Sequence, residues 1–422
     1  MLENYLTKMN DNKIIVFTDR FPYGNSESFF ASELDYISQE FREVMIWPMD
    51  SAGNIYKKRI TPQNVIIKFP PFSNYKSAIE LCIKGVFNKS PLMPFVSEFF
   101  SNRCWKSISK FRNWATFFLV TRKLLSSFNQ EILLNNFQKD TILYFYWGLR
   151  WSQIISFLPV YSYCKIIVRF HGSDLYEELN RNYIPFRKDM LHRVDAVICI
   201  SEIGQKYLVS KYPFVKDKCI IARLGTKDFG LNRYRKTNKI HIVSCSNLVS
   251  LKRVHLIAQS LKLLSIPIKW THLGDGLEKY RIITIANSFP SNIELNLTGA
   301  ISHEGIMEFY STESIDLFIN VSISEGVPVS VMEALSFGIP IIATDVGGTK
   351  EIVNNEVGLL LKSNFDPEEL SNSIKMVVSK PDYLRYREKA RFQWEMMSDA
   401  NLVFPKFVTY LKTLCLIDQS LS

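Results

Sequence analysis

Short apolar runs alternate with helix-length amphipathic segments along the whole chain. In the first half the runs lie at 13–18, 44–48, 142–146, 165–170, 196–200 and 219–223. In the second half they lie at 240–244, 268–273, 293–297, 315–321, 340–343 and 358–361. Such alternation predicts parallel strands joined by crossover helices. Two series of this size exceed one doubly wound sheet, so the pattern predicts an α/β chain of two Rossmann-like domains. The boundary falls in the polar, basic segment 232–238, giving domains 1–235 and 236–395 and a C-terminal helix, 396–422, free to return to the first domain. In open α/β sheets ligands bind outside the C-terminal ends of the strands. Two such domains facing each other would place a site in the cleft between them.

Composition agrees with this picture and adds little else. The 422 residues suit two or three domains at roughly 100–200 residues each. With 47% hydrophobic and 22% charged residues, global disorder is excluded. No apolar run reaches the roughly 18–20 residues of a membrane-spanning helix; the best, 114–120, stops at Arg122 and Lys123. The first residues, Met1-Leu2-Glu3-Asn4, do not read as a secretory signal. The seven cysteines are odd in number and contain no CxxC pair, which suits buried thiols in a reducing compartment. A cytoplasmic protein is expected.

Charge changes the picture at one place. Of the net +10, a surplus of +7 lies in 75–127, where nine basic residues face only Glu80 and Glu98. Phe99, Phe100, Trp105, Phe111 and Trp114 are interleaved among them. Basic and aromatic residues on helix-length segments suit an anionic membrane surface. A solvated helix face over core aromatics explains them equally well, whereas nucleic acid is not expected as a partner.

The richest chemistry lies in 315–353. An apolar strand runs into the polar loop 322–326, Pro328 opens a helix at a position that suits its missing N–H, and Gly338 ends it. A second strand then leads to the turn Gly347-Gly348. This order presents Glu325 in the loop beside Gly326 and Glu333 just inside the helix. The N–H groups around Val329 and Ser330 form an anion site at the helix start. The carboxylates suit sugar or ribose hydroxyls. Read blandly, Glu325 caps the helix and Glu333 is a surface residue.

Three further stretches stand at strand ends. Lys252 and Arg253 follow Asn247 in a loop that leads into a helix, where cations would meet a diphosphate. His171 follows a buried strand and precedes Gly172, with Asp174 placed either to meet a substrate hydroxyl or to cap the next turn. After the first strand, Gly24 permits close backbone approach and Asn25 or Ser26 can cap the helix that follows. The turns at 273–276 and 297–300, the latter containing Gly299, are strand-end connections.

These residues resemble the retaining GT-B glycosyltransferases of family four, most closely the bacterial capsule and exopolysaccharide branch of the colanic acid and amylovoran type. The resemblance rests on Glu325-Gly326-x-Pro328 with Glu333-Ala334, then Gly338-x-Pro340 and Gly347-Gly348-x-x-Glu351, and extends weakly over both halves. It implies a GT-B fold and transfer of a sugar from a nucleoside diphosphate sugar, with retention, to an oligosaccharide acceptor, lipid-linked at the cytoplasmic leaflet. By the same resemblance, Lys252 and Arg253 stabilise the leaving diphosphate, Glu325 holds donor-sugar hydroxyls, Glu333 holds the ribose, and His171 lies by the reacting carbon. Gly24, Asn25 and Gly299 would lie along the donor. The family usually carries an arginine where Asn247 stands, so Arg253 would take over its charge. A nucleotide-sugar epimerase on the same fold and a non-catalytic binding subunit are the alternatives.

No Asp-x-Asp, GxSxG or HExxH occurs. No metal and no cofactor are therefore expected.

Overall fold

In a computed structural model of the chain, the described residues are 12–24, 27–51, 53, 56, 58–72, 92–134, 141–159 and 164–416. Asn25 and Ser26 lie outside them, as do Lys76, Glu80, Lys84, Phe87 and Lys89 of the basic stretch. The chain divides into two compact units, 1–222 with 405–422, and 223–404.

The first unit holds a seven-stranded sheet in the order β3-β2-β1-β4-β5-β6-β7, with every neighbouring pair parallel. The strands are β1 Lys13–Thr18, β2 Glu43–Pro48, β3 Val65–Ile67, β4 Thr141–Phe145, β5 Cys164–Phe170, β6 Ala196–Cys199 and β7 Cys219–Ile221. Both faces of the sheet are covered, which is why its strands read as unbroken apolar runs. Along β1, Ile15 and Phe17 enter one core with Leu143 and Phe145, while Ile14 and Val16 enter the other with Ile142 and Tyr144. That second core also takes Phe407, Val408, Leu411 and Cys415 from the final helix, Ala400–Leu416.

The second unit has a six-stranded parallel sheet in the order β10-β9-β8-β11-β12-β13. Its strands are β8 Ile240–Cys245, β9 Ile268–Leu273, β10 Ile293–Leu297, β11 Leu317–Asn320, β12 Ile341–Thr344 and β13 Gly358–Leu361. The residues expected to form a boundary, 232–238, belong to this unit rather than to a linker. Asn232 donates through Nδ2 to the carbonyls of Tyr310 (2.6 Å) and Glu313 (2.7 Å), and its Oδ1 accepts from Arg387 at 2.9 Å. Further upstream, Thr226 bridges Asp399 and accepts from Trp394 Nε1 at 2.7 Å. A polar segment looks like a linker until its amides find buried partners.

Twelve of the thirteen strands lie within two residues of the predicted runs. Among them, β11 starts two residues late because Asp316 turns its carboxylate onto His241 N at 2.8 Å. The remaining one, β3, was not foreseen: three half-exposed residues at a sheet edge carry no periodic signal.

In each sheet the strand order reverses once, between β1 and β4 and between β8 and β11. At such a switch point the loops leaving adjacent strands diverge and open a crevice at their C-terminal ends. The strand order therefore places the loops after β8 and β11 side by side.

Candidate functional site

In the second unit, Lys252 leaves the loop after β8 and Glu325 the loop after β11. Lys252 Nζ donates to Glu325 Oε1 at 2.6 Å, with side chains 24% and 12% exposed. Asn320, the last residue of β11, adds its Nδ2 to the same oxygen at 3.3 Å and takes Ser322 N on its Oδ1. The two loops are joined through backbone as well, by Ile323 N donating to Leu251 O at 2.9 Å. This leaves a partly exposed carboxylate and ammonium held against each other.

Glu325 is fixed from behind by glycine. A Cβ on Gly347 would stand 1.8 Å from Glu325 O, and Gly347 has a φ of +52°. Gly348 N donates to Gly326 O at 2.6 Å. The turn after β12 thus presses backbone to backbone on the Glu325-Gly326 loop, an approach only a residue without a side chain permits.

Pro328 caps the helix Val329–Ser336 from just outside it, its carbonyl accepting from Val331 and Met332. The N–H groups of Val329 and Ser330, in its first turn, have no acceptor within the helix. Both residues are partly exposed. Glu333 is buried, not on the surface, and accepts from His303 Nε2 at 2.9 Å. His303 opens the helix His303–Thr312 behind Ser302, whose hydroxyl caps Gly305 N.

Arg253 points away from the expected task. Its Nε, Nη1 and Nη2 donate to the carbonyls of Val321 (2.9 Å), Ser363 (2.6 Å) and Ser322 (3.3 Å). A φ of 49° and the Phe365 ring 5.2 Å from its Cζ complete the arrangement. Its charge is engaged in bracing loops, so Lys252 is the cation at Glu325. Asn247 is exposed. The turns after β8 and β9 meet through glycine again, since a Cβ on Gly274 would lie 2.0 Å from Ser246 O. Gly299 joins them through its carbonyl, which accepts from Gly274 N at 3.1 Å.

The first unit holds the other expected residues. His171 is 6% exposed, and its Nε2 lies 2.9 Å from Tyr146 O, so it donates there. Among the described residues Nδ1 is a buried acceptor with no partner. Burial pulls the imidazole down to about 4, so the ring is neutral near neutrality. Rings of Trp147 and Tyr146 stand 4.3 and 4.8 Å away. Asp174 has both carboxylate oxygens engaged by backbone: Oδ1 accepts from His171 N (2.8 Å) and Gly172 N (3.0 Å), Oδ2 from Gly148 N (2.7 Å). It ties the loops after β4 and β5 together and sets the position of His171. Gly24 is exposed at a φ of 65°.

Sequence reasoning did not find Asn320, His303 or Glu27. The Glu27 carboxylate accepts from the N–H groups of Asp19, Arg20 and Phe21 and from Trp147 Nε1, shaping the loop after β1. The strand-end position of Asn320 and the Ser302 cap before His303 were visible signals, but their partners lie far away in sequence.

Residues 231–393 match the family described as Glycosyl transferases group 1. The putative colanic acid biosynthesis glycosyltransferase WcaL of Escherichia coli K12 is 24% identical over 217 residues, 47% of this chain and 52% of that one. The chain spans about half the length of the curated relatives it matches. Sucrose-phosphate synthase from Thermosynechococcus elongatus superposes with a TM-score of 0.69 at 13% identity, covering 96% of this chain and 99% of that one. Anabaena Alr3699/HepE, solved in complex with UDP, superposes with a TM-score of 0.60 at 13% identity, covering 95% and 100%. The chain therefore has the GT-B fold, and its residues 231–393 match the group 1 glycosyl transferases.

Proposed function

We propose that the protein moves a sugar from a nucleoside diphosphate sugar to a polysaccharide-type acceptor with retained anomeric configuration, as a family four enzyme. The observation that carries this reading is the Lys252–Glu325 pair beside the first turn of the helix Val329–Ser336. An ammonium and free helix N–H groups favour a diphosphate as its charge develops on departure. When the anion takes Lys252, Glu325 is released to accept from neutral sugar hydroxyls. Glu333, buried and oriented by His303, suits the two hydroxyls of a ribose. His171, neutral and held by Asp174, offers an uncharged acceptor on the first unit. The uridine diphosphate bound by HepE supports a uridine nucleotide as the first donor to try. No metal or cofactor is part of the proposal, so turnover is expected to survive EDTA.

The acceptor is proposed to be lipid-linked, with the protein peripheral on the inner leaflet of the membrane. In support, Met93, Phe100, Trp105 and Ile108 are 76%, 59%, 52% and 82% exposed, and in the same stretch Arg103, Lys106 and Lys110 line a notch of about 360 Å³. Among the described residues no helix is long and apolar enough to cross a membrane. Not every residue of the basic stretch serves this face. Arg122 is buried with its guanidinium 5.2 Å from the Phe118 ring, and Glu98 turns inward to Tyr183 and Phe186.

The decisive experiment incubates the protein with UDP- and GDP-sugars, with and without short lipid-linked acceptors, and analyses products by mass spectrometry. Acceptor-dependent glycoside formation supports transfer. A new nucleotide-sugar formed without acceptor would identify an epimerase, and no turnover with retained nucleotide binding a non-catalytic subunit.

A further inference from the structure

A second cavity lies wholly within the first unit, at the C-terminal edge of its sheet beyond β4 and β5. It has a volume of about 430 Å³. The helix Ile108–Leu134 supplies Arg112 and Asn113 to one wall, the segment after β4 supplies Leu149, and the loop after β5 supplies Leu179 and Arg181 to the other. Among the described residues no carboxylate lines it. Arg112 and Arg181 are exposed, and among the described residues neither takes part in an ion pair.

This loop is built, not merely open. Asn113 Nδ2 donates to the carbonyls of Asn180 (2.8 Å) and Tyr183 (2.9 Å), while its Oδ1 accepts from Arg181 Nη1 at 3.2 Å. One side chain therefore sets both the course of the loop and the direction of a guanidinium. Arg181 and Asn182 have φ values of 58° and 57°, a left-handed pair that non-glycine residues adopt only when surroundings hold them there. Two guanidinium forks without a carboxylate match the oxygens of a phosphate. The rest of the lining mixes the apolar side chains of Leu149, Leu179 and Phe117 with the polar ones of Thr116, Gln153 and Asn180.

We propose that this cavity binds the phosphate- or diphosphate-bearing end of an amphiphile. Arg112 and Arg181 take the anionic oxygens, and Leu149, Leu179 and Phe117 take the first carbons of the attached chain. The site stands on its own geometry and rests on the glycosyltransferase reading only for its role, as the anchor of the acceptor.

The test is calorimetry on the full chain with geranyl diphosphate, inorganic pyrophosphate and uncharged geraniol. Geranyl diphosphate should bind, geraniol should not, and the double variant Arg112→Ala, Arg181→Ala should weaken geranyl diphosphate at least tenfold with an unchanged melting temperature. Pyrophosphate binding as tightly through the same arginines would assign the site to free phosphates; weaker binding assigns it to a lipid. Lys252→Ala should leave geranyl diphosphate affinity intact. The proposal fails if the double variant binds like the wild type, or if Lys252→Ala, not the arginine pair, abolishes binding. A parallel titration with UDP separates the two readings: arginine-dependent geranyl diphosphate binding without UDP binding would keep this cavity and overturn the donor site.

Discussion

Lys252 Nζ and Glu325 Oε1 are 2.6 Å apart, although 73 residues separate them in the chain. They meet because β8 and β11 are neighbours at the point where the sheet order reverses. An ion pair this accessible contributes little stability by itself. Its value lies in holding two side chains, ready to change partners, where a ligand would arrive.

Lys252→Ala should therefore lower turnover at least tenfold while leaving the melting temperature nearly unchanged. The loss of a charge-assisted hydrogen bond corresponds to about 1.5–3 kcal/mol. Glu325→Gln should chiefly lower turnover, and Glu333→Gln should chiefly weaken binding of the free nucleoside diphosphate. Steady-state kinetics and calorimetry on the three variants check the assignment. Wild-type kinetics for Lys252→Ala would refute it.

Gly347→Ala tests the glycine contact behind Glu325. The added methyl would meet Glu325 O at 1.8 Å, so the loop must move. A left-handed alanine adds about 1 kcal/mol of strain before that collision is counted. Activity should fall at least as far as in Glu325→Gln, with a lowered melting temperature, whereas an unperturbed variant would show that the two loops are not locked together.

Acid should destabilise both units through buried histidines. Burial draws His171 and His272 down to about 4 and lowers His241 as well. An unfolded histidine titrates near 6.5, so it binds a proton before the folded one does. Stability from these groups is present above pH 6.5 and is lost as pH falls toward 4. His272→Gln should flatten this part of a melting-temperature profile between those values. A steeper profile in the variant would count against a neutral, buried ring.

Liposome sedimentation checks the membrane face. Each exposed Lys or Arg near an anionic bilayer contributes about 1 kcal/mol, screened by salt. Lys106→Glu with Lys110→Glu should release the protein from anionic vesicles without altering nucleotide affinity. Equal sedimentation of wild type and variant would leave these residues as an ordinary solvated surface.

Much of the scaffold was legible in the chain. Strands 13–18, 268–273, 293–297 and 358–361 have the same limits in the sequence reading and in the structure. Local composition suffices there, because a strand buried on both faces must be apolar throughout. The loop, helix and glycine order around Glu325 was equally plain, because helix starts and stops are written in neighbouring residues.

What only the tertiary structure decided is which distant side chains meet. The sequence placed Lys252 and Arg253 together as a basic pair, yet the fold sends one to Glu325 and the other to three carbonyls. It made Asp174 a candidate for substrate, and the structure engages that carboxylate with three backbone N–H groups. It counted Arg122 as surface charge, and the core encloses it. Burial and pairing depend on strand order and loop approach, which arise from contacts many residues apart. Local propensity determines the elements; the non-local sheet order determines their neighbours, and with them the chemistry of each polar group.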